Sequence, residues 1–291
     1  MFTEKSDIEK WLKENEILYF EIKDDLTVDV HQNAHITSKT EQLPVQFGII
    51  YGNFTCYNLG LTTLKGCPHT VKGLFECHYN PLTSLEYGPT IVTEYYNCSN
   101  TKITDLQFMP KKINSHLYCR NCELISLKGC PNKIGGDFYC NNNKLKTLEF
   151  SPTEIDGCFD CSFNQLISFK NCPPLIYLYI KCNNNNLSSF EHFPEFINGD
   201  LSCEYNKFNS FEYFPKNING TLNLSNNNIP IEQLADFDPE TRINNLILSD
   251  FNLNKDEFFL TVKNLKIQKE QSILKQVLSE ENTQPKIINR L

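Results

Sequence analysis

The sequence predicts a β-rich solenoid, a coil of short parallel strands with helices at both ends. Three observations carry this. Eight cysteines, Cys56, Cys77, Cys98, Cys119, Cys140, Cys161, Cys182 and Cys203, stand 21 residues apart without a slip. A proline follows each of them by twelve residues, from Pro68 to Pro215. Apolar residues alternate around each cysteine in the two-residue phase of a strand. Units this short cannot bury a core alone, so a strict period implies stacking against neighbours.

The remaining columns keep the same step. Two residues before each cysteine come Phe54, Phe75, Tyr96, Leu117, Phe138, Phe159, Ile180 and Leu201, continued by Leu222 and Leu246. Five after come Leu61, Leu82, Ile103, Leu124, Leu145, Leu166, Leu187 and Phe208. Fifteen after is always β-branched, from Val71 and Val92 to Ile218. Leu224 continues the cysteine column and, after an insertion of three residues, so does Leu248. His35 stands one period before Cys56, in a degenerate first unit that keeps Leu43.

Each cysteine therefore centres a strand. In Asp137–Asn141, Phe138 and Cys140 are expected to point inward and Asp137, Tyr139 and Asn141 outward. About ten coils at roughly 4.8 Å each give a stack of roughly 45 to 50 Å. Three residues after the cysteine stand Asn80, Asn143, Asn164, Asn185, Asn206 and Asn227, with Cys122 in one unit. These asparagines are placed to bond backbone groups where the chain leaves the strand. The return arm is too short for a helix, and its proline removes a donor, so extended or polyproline-like backbone is expected there.

Each unit reads apolar-x-Cys-x-x-Asn-x-Leu-x-x-Leu, then a proline turn. This resembles the leucine-rich-repeat family, with Cys in place of the second strand leucine, over roughly residues 25 to 255. The Gly-Cys-Pro and Cys-x-x-Asn-x-Leu wording is most similar to short repeats of phage, giant-virus and some bacterial proteins. The resemblance implies a right-handed coil with its parallel sheet on the concave face and extended or turn-like return arms. It says little about function, because sites are grafted on folds.

The ends need covers. Residues 1–24 are assigned to an N-terminal helical cap, 25–253 to the array, and 254–291 to a C-terminal helical cap and tail. Ser6-Asp7-Ile8-Glu9 fits a capping box for a helix over residues 6 to 16, with Ile8, Trp11 and Leu12 on one face. Asn254 and Glu257 can start another, with Phe258, Val262 and Leu265 on one face. Ile273, Leu274, Val277 and Leu278 mark a last helix, and the tail from Glu280 is expected to be loose.

Composition narrows the function. Of 291 residues 40% are hydrophobic and 21% charged, which excludes a disordered chain. The net charge is −8 and no basic stripe occurs, which argues against nucleic acid and against anionic membranes. No apolar run is long enough to span a bilayer. The N-terminus lacks an apolar signal segment, and the 13 cysteines are odd in number, so a reducing cytoplasm is expected, the host's if the source is viral.

The cysteine column has two readings. One is a metal or redox array. The other is a small hydrophobe filling a tight slot between coils. A single file does not converge as zinc ligands must, which favours the second. Cys67, Cys130 and Cys172 are expected to pack in the return arm. Cys158 falls on the outward phase and is expected to be a partly exposed thiol. The six histidines show no metal spacing, and no triad or phosphate loop occurs, so no enzyme and no cofactor is expected. A substrate-recognition part of an effector enzyme is the enzymatic alternative, but only about 35 residues follow the last coil and they hold no cysteine. RNA binding through stacked tyrosines is a further alternative.

Function is placed on the outward columns of the sheet. These carry Tyr57, His78, Tyr79, Tyr95, His116, Tyr118, Arg120, Tyr139, Phe163, Tyr179 and Tyr205. Tyr and Arg give contact energy while few rotamers are frozen. They point to a protein partner of unspecified identity. The competing reading is that these rings only brace neighbouring strands.

Overall fold

The structure, a computed structural model, describes residues 1–238, 240–247 and 253–283, with side chains in the last helix described as far as 279. The chain is a parallel β-solenoid of about ten turns with few helices. Short strands pair in register at the 21-residue step, linking Phe54, Phe75, Tyr96, Leu117, Phe138, Phe159, Ile180, Leu201 and Leu222 in one ladder. Backbone bonds extend the pairing past these residues. The Phe138 N–H donates to Cys158 O at 2.8 Å and the Cys140 N–H to Asp160 O at 2.9 Å.

The core is the stack of inward columns. Phe54 and Phe75 lie 5.9 Å apart and nearly coplanar in orientation, and Phe138 and Phe159 repeat this at 5.6 Å. The eight column cysteines are fully buried. Four of them, Cys98, Cys119, Cys161 and Cys182, aim their thiols at a carbonyl of the next strand at 3.4 to 3.5 Å. Cysteine acts here as a small apolar filler with a weak donor, and Ile36 and Leu224 take the same slot at the two ends of the column.

The asparagines close the turn. Asn80 Oδ1 accepts the N–H groups of Leu59, Gly60 and Leu61, each at 3.0 Å. Its Nδ2 donates to Cys56 O and Cys77 O. Asn143, Asn164, Asn185, Asn206 and Asn227 repeat the donation to two successive coils. Cys122 in this column keeps one such bond, a thiol to Cys98 O at 3.3 Å.

The return arms are extended, and they are also paired. Val28–Val30, Phe47–Ile50, Thr70–Val71 and Ile91–Val92 form a second parallel ladder, which Phe20–Ile22 begins in antiparallel sense. Lys133–Ile134, Glu154–Ile155 and Leu175–Ile176 form another. The β-branched residue three after the proline is past the missing N–H, and the coil spacing set by the main sheet brings it opposite its neighbour.

The first unit corrects the predicted register. Ala34 pairs with Phe54 and His35 with Thr55, so Ile36, 1% exposed, occupies the cysteine slot and His35 faces outward. That unit is one residue shorter, and Leu43 regains the column, buried like Leu64. At the other end the three-residue insertion is present: Leu222 pairs with Leu246, 24 residues on. It is taken up by the 3-10 helix Ile231–Asp236. Leu248 lies outside the described residues.

Helix α1 spans Lys5–Glu14 and buries Ile8, Trp11 and Leu12, with Trp11 6.3 Å from Phe47. The predicted capping box does not form. The chain enters the helix at Glu4, which makes no side-chain cap bond, so Ser6 already lies inside the first turn. The Phe2 N–H donates to Pro44 O at 2.8 Å and fixes this earlier entry. The C-terminal segment also differs: one helix, α2 (Lys255–Thr283), replaces the two expected. Asn254 starts it as read, its Oδ1 accepting the Glu257 N–H at 3.0 Å and its own N–H donating to Glu257 Oε2 at 2.9 Å. No glycine or proline interrupts residues 255 to 283, so nothing ends the first helix before the second apolar run. The helix thus takes in the first residues of the segment expected to be loose, and 284–291 lie outside the described residues.

Candidate functional site

In-register stacking decides which outward side chains meet. Residues 21 apart stand one above the other, at the strand spacing of about 4.8 Å. A strip of tyrosines results. Tyr95 meets Tyr118 edge to face at 5.7 Å, and Tyr118 stacks on Tyr139 at 5.3 Å with planes 4° apart. The Tyr139 and Tyr179 hydroxyls lie 3.3 Å apart, two coils from one another. Tyr95 donates to Glu76 Oε1 at 2.8 Å and Tyr139 to Asp137 Oδ2 at 3.2 Å. Lys181 Nζ sits 5.1 Å from the Tyr179 ring centre. Burial among these rings raises the phenol pKa of Tyr95, Tyr118, Tyr139 and Tyr179 above the usual value.

A second row runs one residue after the cysteine. Tyr57 stacks on His78 at 4.6 Å with planes 14° apart, and His35 tilts against Tyr57 at 5.5 Å. His78 also meets Tyr79 edge-on at 5.3 Å. Partial burial first, and the nearby Arg120 charge, hold the His78 imidazole below its ordinary pKa, against the opposing pull of Glu76. Arg120 is exposed, and among the described residues its guanidinium makes no hydrogen bond or ion pair.

His116 belongs to the scaffold of the strip. Its Nδ1 accepts the Asp137 N–H at 2.9 Å and so carries no proton there. The 3.2 Å approach of Asp137 Oδ2 to the same atom is then two acceptors side by side, not an ion pair. Tyr118 lies 5.8 Å away, tilted against the ring.

Tyr79, Phe163 and Tyr205 stand apart at the corner where the strand ends. Each has a left-handed backbone, with φ of 55°, 52° and 55°, and each is half exposed. Other coils put asparagine at this corner: Asn58, Asn100, Asn121, Asn142, Asn184 and Asn226. An aromatic residue there costs conformational energy that asparagine avoids, and the ring is held out to solvent. Strain of this kind concentrates at functional sites.

Cys158 is the clearest correction on this face. It is buried, 4% exposed, not a partly exposed thiol. The Tyr139–Tyr179 contact spans its coil, and its N–H donates to Asp137 Oδ1 at 2.8 Å. Burial raises its thiol pKa, as it raises those of the column cysteines Cys77, Cys98, Cys119, Cys140, Cys161 and Cys182. Thiols of this kind are poor nucleophiles. Among the described residues, no three His, Cys, Asp or Glu side chains gather as a metal ion requires.

Four buried polar atoms of one column lack a hydrogen-bond partner among the described residues: His78 Nδ1, Ser99 Oγ, Asn141 Oδ1 and Glu204 Oε2. All stand one residue after a cysteine-column position, on the same face as the rings. Glu76, Asp137, Asp160, Asp200 and Glu204 outnumber Arg120 and Lys181 in the outward columns.

The sequence reading missed a second corner. Ten residues after the cysteine stand Tyr87, Phe108, Phe150, His192 and Tyr213, all with positive φ, between 61° and 71°. Tyr87, Phe108, Phe150 and Tyr213 are more than half exposed. Tyr87 and Phe108 rim a depression of about 590 Å³ with Gly66, Cys67, Gly88, Met109 and Lys111. The column was visible at the 21-residue step, but a turn position next to the proline signals geometry before it signals a site. This depression is at the far corner from the tyrosine strip.

Comparison with known proteins gives no family: no family model matches the chain, and no curated protein matches it.

Proposed function

We propose that the chain is a leucine-rich-repeat scaffold, covered at its ends by α1 and the first turns of α2, that captures a partner protein on the outward face of its long sheet. The observation that carries this reading is the tyrosine strip from Tyr95 through Tyr118 and Tyr139 to Tyr179. Its rings are half buried against each other, and the hydroxyls of Tyr95, Tyr139 and Tyr179 are tied to Glu76, Asp137 and one another. Such rings are already ordered before a partner arrives, so little entropy is lost on contact. Arg120 beside them is exposed and, among the described residues, unengaged. The acidic balance of the face opposes phosphate backbones. The partner is a protein in the cytoplasm, a host protein if the source is a virus or bacterium.

The test is a triple substitution, Tyr118→Ala, Arg120→Ala and Tyr139→Ala. A partner is captured from lysate with the wild-type chain, identified by mass spectrometry, purified, and titrated against both chains by calorimetry. The reading expects affinity to fall about 100-fold or more while the unfolding midpoint stays within a few degrees. Equal affinity for both chains removes this face as the contact.

A further inference from the structure

Among the described residues, the α2 side chains buried against the solenoid lie in its first part. Phe258 and Val262 are buried, Phe258 lies 5.1 Å from Phe237, and Lys269 reaches Asp236. Every described side chain from residue 267 to 279 is exposed. The 14 residues after Lys269 add about 20 Å of helix.

One exposed side of α2 carries large apolar side chains. Leu260, Ile267 and Leu274 are 59%, 44% and 60% exposed and stand seven residues apart, in one row along the helix. The row lies on a different side of the helix from Phe258 and Val262, which face the solenoid. Two charges punctuate it, Lys263 four residues before Ile267 and Glu270 three after. Both are exposed, and neither is in an ion pair among the described residues. A shallow depression of about 420 Å³ follows the same side, lined by Phe259, Lys263, Lys266, Ile267 and Glu270.

The row is self-complementary. Reversed about Ile267, it places leucine opposite leucine and lysine next to glutamate. We propose that α2 pairs with α2 of a second copy of this chain, antiparallel, across a two-fold axis at Ile267. Leu260 then packs against Leu274 of the other copy, Ile267 against Ile267, and Lys263 reaches Glu270 at both ends of the contact. A two-fold interface requires this self-matching, and a parallel pairing would set Lys263 against Lys263. Two single helices make a modest interface, so the pairing belongs in the micromolar range.

Sedimentation equilibrium of the full chain, from about 1 to about 300 µM, tests this. The mass rises with concentration towards that of two chains. Ile267→Lys, at an exposed position, keeps the circular dichroism and unfolding midpoint and weakens pairing at least about 100-fold. Lys263→Glu alone weakens it, and the exchange Lys263→Glu with Glu270→Lys restores it. A wild-type chain that stays monomeric throughout overturns the proposal, as does a dimer that survives Ile267→Lys or an exchange that fails to restore pairing.

Discussion

Asn143 ties two coils together: its Nδ2 donates to Cys119 O and to Cys140 O, both at 2.9 Å, and its Oδ1 accepts the Leu124 N–H at 3.1 Å. One buried amide thus serves backbone groups that the turn leaves without strand partners. Asn143→Ala is expected to lower stability by about 2 to 4 kcal/mol, since buried carbonyls and an N–H lose their partner. Chemical denaturation measures it. An effect below about 0.5 kcal/mol would show that these bonds are marginal.

Cys122 is the reverse case. It stands in the asparagine column, but its thiol, which meets Cys98 O, Arg120 O and the Thr101 hydroxyl, makes only weak bonds in place of the amide's. Cys122→Asn restores the amide and is expected to stabilise the chain by about 1 kcal/mol. The measurement is the unfolding midpoint, which rises.

Gly129 is fixed by geometry. Its φ is +91°, and an added Cβ would lie 2.4 Å from Leu106 O and 2.5 Å from the Gln107 backbone. Backbone atoms cannot move away as a side-chain tip can. Gly129→Ala is expected to cost about 3 kcal/mol, from strain and overlap together. A calorimetric melt of the purified variant reads it, and an unshifted midpoint contradicts the close approach.

Phe163 separates stability from function. Phe163→Asn puts the corner residue of most coils at φ 52° and removes an exposed ring. Stability is expected to rise by about 1 kcal/mol while partner affinity falls. Paired melting and binding measurements check both signs, and lower stability with unchanged affinity contradicts both.

His78 makes stability depend on pH. Burial lowers its folded pKa below 6.5. Below that value the unfolded chain binds more protons than the folded one, so this residue's contribution to stability falls as pH drops from about 7 towards the folded pKa and then levels off. His78→Asn is expected to flatten that part of the profile. Denaturation at pH 7, 6 and 5 for both chains measures the difference in slope, and identical slopes contradict it.

Much of the solenoid was legible because one step, 21 residues, governs sequence and space together. Phe138 over Phe159 and Tyr118 over Tyr139 follow from it directly. What escaped was decided between coils or beyond them. The one-residue slip at Ile36 follows from strand phase, which the degenerate first unit hides. The continuity of α2 depends on the absence of a break, which a search for apolar clusters does not notice. Cys158 has the phase of an outward residue, yet two tyrosines from neighbouring coils close over it. The pairing of Tyr139 with Tyr179 skips a coil, and no column reading of a single unit reveals that.

The contact face is tested most directly by photocrosslinking. A benzoylphenylalanine is placed at Tyr139, on the strip, or at Leu175, exposed on the return arm, and each chain is irradiated with the captured partner. The strip position is expected to crosslink to the partner and the return-arm position to leave it free. Crosslinks from Leu175 with none from Tyr139 would place the partner on the opposite side of the solenoid and contradict the proposed contact.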